Sequence, residues 1–293
     1  MRRATARVAH DFVEADELRD RIAEAGWTVL DGPDGWSLEP LEPAEADEPV
    51  PVRAADVASV LDQPATVGYS IHWLCEGWPE DIARGLASFR AQQGEHTIQY
   101  VVADITGIAR DAFGEDVEVV ALEPDTGWAA ARNAGLVRST GELVVVMDGS
   151  IEVTGDPFSP LRATLSDPEV GIAGPFGIVT RDLREFQEAQ GSGPCDAIEG
   201  YCLAMRREVL IDVGMFDEKF RWYRTADIEL SFRVKERGLR TDVVVLPLVK
   251  HEHRMWSHTA AAERDRLSKR NYYRFLDRWR DRWDLVLDPD PPR

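Results

Sequence analysis

The chain has 293 residues, 44% of them hydrophobic and 30% charged, with 34 basic against 53 acidic side chains and a net charge of -19. That length buries a sizeable core and holds one large domain plus an appendage. The acidic balance argues against a nucleic-acid footprint and against non-specific attachment to an anionic membrane.

Residues Ala4 to Ala25 read as a helix, with Val8, Phe12, Leu18 and Ile22 near helical spacing and Gly26 placed to end it. The opening Arg pair has no apolar core behind it, so the stretch is not read as a secretory leader. "WTVLDGPDGWSLEP" has the grammar of a hairpin, two β-prone runs around Gly32-Pro33-Asp34-Gly35. These segments make a small helix-and-hairpin module over 1–42. Residues 43–64 are rich in Pro, Ala and acid and read as a linker with room for one helical turn.

From residue 65 strands and helices alternate. "ATVGYSIHWL" is a strand, "PEDIARGLASFRAQQ" a helix opened by Pro79, and "TIQYVVAD" a strand ending in Asp104. "DVEVVALE" is a strand, "GWAAARNAGLVRST" a helix, and "ELVVVMD" a strand ending in Asp148. This alternation predicts an α/β domain with a mostly parallel, doubly wound sheet, extending over 65–285. Ligands of such sheets bind beyond the carboxyl ends of the strands, where Asp104 and Asp148 both fall. The bland alternative is that each carboxylate caps the next turn or helix. Further on, "AERDRLSKRNYYRFLDRWRDRW" puts Tyr272, Leu276, Trp279 and Trp283 on one helical stripe, expected to fold against the domain rather than lie on a membrane. No apolar run approaches the roughly 20 residues a membrane-spanning helix needs. The three cysteines, Cys75, Cys195 and Cys202, form no C-x-x-C pair, which fits a reducing compartment and a cytoplasmic protein.

Asp104 at its strand end, "GWAAARNAG", "VVVMDGS", "EGYCLAMRREVLIDVGMFDEKF", "ADIELSFRVKERG" and "VKHEH" follow one another in an order that resembles a family 2 glycosyltransferase of the GT-A type, over about 65–256. The resemblance implies a GT-A-like (Rossmann-like) sheet, a nucleoside diphosphate sugar donor, a divalent metal (Mg²⁺ or Mn²⁺) and an inverting displacement at the anomeric carbon. Such chemistry needs positive charge on the leaving diphosphate and a carboxylate to take the acceptor's proton. Asp104 resembles the family's nucleoside-contacting acid, and Arg132 and Asn133 its donor-binding positions, while Ala129, Ala130, Ala131 and Ala134 suit close packing on the sheet. Asp148 is the candidate metal or ribose contact, with Ser150 and His251 completing the set. The family's D-x-D reads Asp148-Gly149-Ser150 here, and Glu152 is a possible replacement for the missing acid. Asp227 is the candidate base, or else a helix cap; Glu229 is its fallback, or a helical partner of Arg233.

On the acceptor side the candidates are Gly200, Trp222 and Tyr223, the two aromatics suited to stacking on a sugar or to core packing. His251 and His253, as an H-x-H pair after a β-prone run, are expected to point to one side. Because Ser150 and Ala226 stand where acids are expected, a non-catalytic sugar-nucleotide binder or scaffold is the alternative. "FVEADELRDRIAEAGWTVLDGPDGW" resembles the small C-terminal piece of cysteinyl-tRNA synthetases without any of their catalytic motifs. It is read as a docking or oligomerisation module. An RNA-associated protein is a third reading, opposed by the charge balance.

Overall fold

The computed structural model describes residues 18, 21–22, 27–32, 35–40, 50–107 and 112–290. The chain divides into two units, Met1–Glu48 and Pro49–Arg293. In the first, β1 (Trp27–Gly32) and β2 (Gly35–Pro40) pair antiparallel from Trp27↔Pro40 to Gly32↔Gly35. Leu18, Arg21 and Ile22 are helical. The rest of the expected helix over 4–25, and Pro33 and Asp34 of the expected turn, lie outside the described residues.

The second unit begins earlier than its composition suggests. Val52 pairs with Leu122, its N–H donating to the Ala121 carbonyl at 3.0 Å, and Ala54, Val57 and Leu61 pack on the core. So residues 50–64, expected as linker, are laid against the domain. Then come β3 (Val67–Cys75), α1 (Pro79–Gln92), β4 (Ile98–Asp104), β5 (Val117–Ala121), α2 (Trp128–Leu136) and β6 (Gly141–Met147). β7 (Ile151–Val153), α3 (Phe158–Leu165), β8 (Val170–Gly174), β9 (Gly177–Thr180), β10 (Phe186–Glu188), β11 (Gly193–Cys195) and β12 (Ala197–Ile198) follow. The chain continues through β13 (Cys202–Arg206), α4 (Arg207–Val213), α5 (Ala226–Glu236), β14 (Arg240–Val243), β15 (Leu248–Lys250), α6 (Arg254–His258) and α7 (Ala261–Trp279).

Eight strands form the central sheet in the order β11-β14-β8-β13-β6-β3-β4-β5. β3, β4, β5 and β6 are mutually parallel, and so are β8 and β14; β13 runs antiparallel between β6 and β8. Both faces are covered, which explains why the parallel strands read as continuous apolar runs. Alternate residues go to opposite sides. Ile71, Trp73, Val145 and Met147 pack with Leu86, Phe89 and Phe158 on one face, and Val101, Ala103, Val144 and Val146 with Ala131, Ala134 and Leu230 on the other. Each fully buried large apolar side chain contributes roughly 1.5–3 kcal/mol, so these two layers hold the strand ends rigidly.

Two elements differ from the sequence expectation. The run "TDVVVLPLVK" is split into β14 and β15, because Pro247 has no N–H for a ladder and the chain turns there to pair with β7. In α7 the buried positions are Asn271, Phe275 and Trp279. Of the expected stripe Trp279 is fully buried, while Leu276 and Trp283 are only partly covered, and Asn271 and Phe275 take the places beside Tyr272 and Leu276. Phe275 and Trp279 pack on Phe232 of α5 and on Leu183. Among the described residues no helix is long and apolar enough to cross a membrane.

Candidate functional site

The carboxyl ends of the parallel strands, the start of β13 and one side of α7 enclose a cavity of about 510 Å³. β6 delivers Asp148 to its wall: Met147 is the last residue paired with β13, and the Asp148 N–H donates to the Tyr201 carbonyl at 3.0 Å. Asp148 Oδ1 accepts the Ser150 N–H at 2.9 Å and also the Ser150 hydroxyl, while Oδ2 lies 3.2 Å from His253 Nε2. Burial pushes this carboxyl up, but the His253 contact and the Ser150 donors outweigh it and hold it at about 2.

Arg132, on the first turns of α2, is 4% exposed. It donates to the Met147 carbonyl at 2.9 Å, stacks over Trp128 at 5.4 Å, and leaves its buried Nε without a partner among the described residues. Burial works against its charge, and the charges of Asp148 and Glu76 work for it. The result is a buried guanidinium, always cationic, beside a partly buried anion at the cavity wall.

Asp227 lies on the first turn of α5, after Thr225 in the left-handed region at φ 73°. Its Oδ2 accepts the Gly200 N–H at 2.7 Å and its Oδ1 the Ile228 N–H at 2.9 Å. It therefore serves the helix start and still lines the cavity. Burial raises its carboxyl above the ordinary value, the two N–H donors and Arg224 opposing. Tyr201 and Tyr223 flank His253, with ring centroids 5.6 and 4.7 Å away.

The structure thus brings Arg132, Asp148, Gly200, Tyr223 and Asp227 to one cavity and leaves other candidates outside its lining. Asn133 exchanges two hydrogen bonds with the Phe216 backbone, at 2.8 and 3.0 Å, and so ties α2 to the loop before α5. Asp104 is fully buried, Oδ1 accepting from the Thr106 N–H at 2.8 Å and its hydroxyl at 2.5 Å, Oδ2 unpartnered among the described residues. Trp222 stacks on Tyr223 at 4.7 Å between ring centroids, and its backbone carbonyl accepts from Asn271 of α7 at 2.7 Å. Glu229 is held by Arg233 at 2.8 Å and Arg278 at 3.2 Å. Glu152 bonds His251 Nε2 at 2.7 Å, so neither reaches Asp148.

The two histidines part because the chain leaves β15 at Lys250. His251 keeps the ladder through its N–H to the Ser150 carbonyl at 2.7 Å, whereas His253 becomes the N-cap of α6. Two acids escaped notice in the sequence. Glu76 follows β3 as Asp148 follows β6; burial, with Asp148 adding to it, lifts it to about 7 against the pull of Arg132 and His253. Glu199, just before Gly200, lines the cavity and is lifted to about 7 by burial and by Asp227. The position of Glu76 after an apolar strand was the legible signal; Glu199 carried none.

The donor set has to be tested against the expected Mg²⁺ or Mn²⁺. Asp148 Oδ2 and His253 Nε2 are 3.2 Å apart, close to the spacing of about 3 Å between adjacent ligands in an octahedral site with bonds of roughly 2.1 Å. His253 Nδ1 accepts the Trp256 N–H at 3.1 Å, which puts the ring proton on Nε2. To ligate, that proton must shift to Nδ1, and the Trp256 N–H keeps the His253 carbonyl at 3.0 Å. No group of three His, Cys, Asp or Glu converges among the described residues. The site therefore fits a cation that draws most of its ligands from a diphosphate and water, not one held by protein alone.

Comparisons with known proteins place the family and the fold. The model of the glycosyl transferase family 2 domain matches residues 79–230, just over half of the 293 residues. A pre-mycofactocin glycosyltransferase of Mycobacterium tuberculosis is 26% identical over 156 residues, 47% of this chain and 33% of that protein. The chain thus spans about a third of that relative's length. A cysteine–tRNA ligase of Opitutus terrae is 56% identical over 41 residues, 14% of this chain and 9% of the ligase, a short partial match. Among solved structures, GalNAc-T7 with UDP, GalNAc and Mn²⁺ superposes with a TM-score of 0.57 at 16% identity, covering 74% of this chain and 50% of the other. That likeness shows the GT-A fold.

Proposed function

The chain belongs to glycosyl transferase family 2, and from that premise we propose that it is an inverting glycosyltransferase moving a sugar from a nucleoside diphosphate sugar to an acceptor hydroxyl. One observation carries the reading: the buried Arg132 guanidinium, the Asp148–His253 pair and the Asp227 carboxylate share a single cavity. A buried cation with no carboxylate bonded to it costs several kcal/mol, which an anionic ligand offsets. Arg132 therefore suits the diphosphate. Asp148 and His253 would hold Mg²⁺ or Mn²⁺, which supplies further positive charge against the leaving diphosphate.

Asp227 is the base. Gly200 and Ile228 fix its carboxylate, and burial raises its basicity toward the working pH. The acceptor oxygen bonds to the anomeric carbon as the carbon–oxygen bond to the diphosphate breaks. The diphosphate leaves with that electron pair, and the acceptor's proton passes to Asp227. Tyr223 offers an aromatic face to the sugar. Asp104, its Oδ2 unpartnered among the described residues, is kept as the nucleoside contact. The Met1–Glu48 unit is read as a docking or oligomerisation module, and the free cysteines favour the cytoplasm.

One observation favours a binder without turnover. Ser150, in place of the second acid, spends its hydroxyl on Asp148 rather than offering a further anion to a metal. Calorimetric titration with UDP- and GDP-sugars, each with and without Mn²⁺, separates the readings. Metal-dependent binding of one donor is expected, weakened at least about tenfold in Asp148→Ala. Absence of donor binding under every condition would overturn the enzyme reading. Binding without nucleotide release across a broad acceptor set would favour the binder.

A further inference from the structure

One further wall of the cavity has no ligand in the reading above. It is made by the loop after β9 and by α7. Leu183, 1% exposed and at φ 58°, anchors that loop. Its N–H donates to Thr180 Oγ1 at 2.9 Å, and its carbonyl accepts the Tyr272 hydroxyl at 3.0 Å. This anchor sets Arg184 at the cavity, facing the same space as Ser268, Lys269 and Tyr272 of α7. Ser268 and Tyr272, four apart, share one helix face.

Two features of this wall ask for a ligand. Among the described residues neither Arg184 nor Lys269 has a carboxylate within ion-pairing distance, in a chain whose net charge is -19. The Ser268 hydroxyl is buried and has no partner among the described residues. Two acids lie on this side. Glu188 acts on Glu199 and Lys250. Asp182, outside the cavity lining, accepts the Arg184 backbone N–H at 2.8 Å and is lowered by the Glu185 and Arg184 N–H groups and by the Arg184 charge. Two cations and a hydroxyl donor, with no carboxylate ion-paired to either cation among the described residues, form a receptor for a compact oxyanion.

We propose that this wall is the acceptor subsite and that the acceptor carries a phosphate or carboxylate, held by Arg184, Lys269 and the Ser268 hydroxyl, with its reacting hydroxyl toward Asp227. The proposal rests on the transferase reading for the word acceptor, but the anion site is testable without it. Glucose 6-phosphate, glucuronate and glucose present one ring with a phosphate, a carboxylate or neither. Each is titrated calorimetrically into the full chain, with and without saturating UDP, and into the double variant Arg184→Gln/Lys269→Gln; both side chains are exposed, so the variant keeps its core.

At least one of the two anions is expected to bind and glucose not, with the stronger anion identifying the group. The double variant is expected to weaken that binding at least about tenfold, the scale of losing charge-assisted hydrogen bonds, while donor affinity, titrated separately, stays within about twofold. Equal binding of glucose, wild-type anion affinity in the double variant, or no anion binding with or without UDP each overturns the proposal. Donor binding without anion binding sinks this inference alone; anion binding without donor binding sinks the transferase reading and leaves the anion site standing.

Discussion

Asp148 and Asp227 are carboxylates on the wall of one cavity, yet their surroundings drive them apart. His253 and Ser150 hold Asp148 at about 2, whereas burial raises Asp227. Separation of this kind assigns roles: the first stays an anion at every working pH, and the second exchanges a proton. Asp227→Asn, which preserves shape and hydrogen-bond acceptance from Gly200, should lower the transfer rate at least about 100-fold with donor affinity within twofold by calorimetry; turnover within tenfold of wild type would remove Asp227 as base. Glu76 and Glu199, both lifted to about 7 from 4.5, give a stability prediction. Below pH 4.5 each is protonated in both folded and unfolded chains and costs nothing. As pH rises toward 7 the unfolded chain ionises first, so stability is lost across that window. Both are only half-buried, and the full shift of about 3 kcal/mol each is therefore discounted to about 1–2. Glu199→Gln should raise Tm by roughly 2–6 °C at pH 8 and leave it unchanged at pH 4.5, as read by thermal unfolding; a rise at pH 4.5 of the same size would point to packing instead.

At the scale of elements, the strands that hold the site were legible because apolar runs bounded by turn residues end in acids. β3, β4, β5 and β6 all fall within two residues of the expected bounds. What could not be read was pairing. Nothing in "CLAMR" says that β13 runs antiparallel between β6 and β8, yet that pairing is what carries Gly200 and Tyr201 to Asp148. The choice between His251 and His253 turns on where a strand stops, a matter settled by Pro247 and the β7 partner rather than by the H-x-H spacing. Asn133 read as a donor contact, yet its side chain is spent on the Phe216 backbone, whereas Glu229 makes the helical pair with Arg233 that its i,i+4 spacing offered as the alternative to a base. α7 gives the prediction at this scale. Phe275 and Trp279 are fully buried against Phe232, and the same helix supplies one wall of the cavity. Trp279→Ala should cost about 3–5 kcal/mol in denaturant unfolding and weaken whatever binds that wall; a loss under 1 kcal/mol would mean that α7 is not part of the folded core.

At the scale of the molecule, composition and contacts disagree on where the large domain starts, and the disagreement is measurable. By composition residues 43–64 are linker; by contacts the domain unit begins at Pro49. The contacts have the stronger physical basis. Val52 bonds backbone to backbone with Ala121 and Glu123 at 3.0 and 3.1 Å, extending the ladder past β5. Arg138 and Arg207 each donate to carbonyls of this segment, Ala58 and Val60, at 2.8 Å. Ala54, Val57 and Leu61 add three partly buried apolar side chains. Partial burial of that kind is worth about 1 kcal/mol per side chain, and the donor of the buried Arg207, left without Val60, costs about 1–3 more. A chain starting at Pro49 should therefore unfold within a few degrees of the full chain and bind donor within twofold, since among the described residues every buried hydrophobic residue except Val29 lies in this unit. A chain starting at Ala65 should lose about 3–5 kcal/mol, read as a lower denaturant midpoint at unchanged slope. If both truncations matched the full chain, residues 50–64 would be linker after all. If the Pro49 chain failed to fold, the Met1–Glu48 unit would be a structural part of the domain rather than a module appended to it.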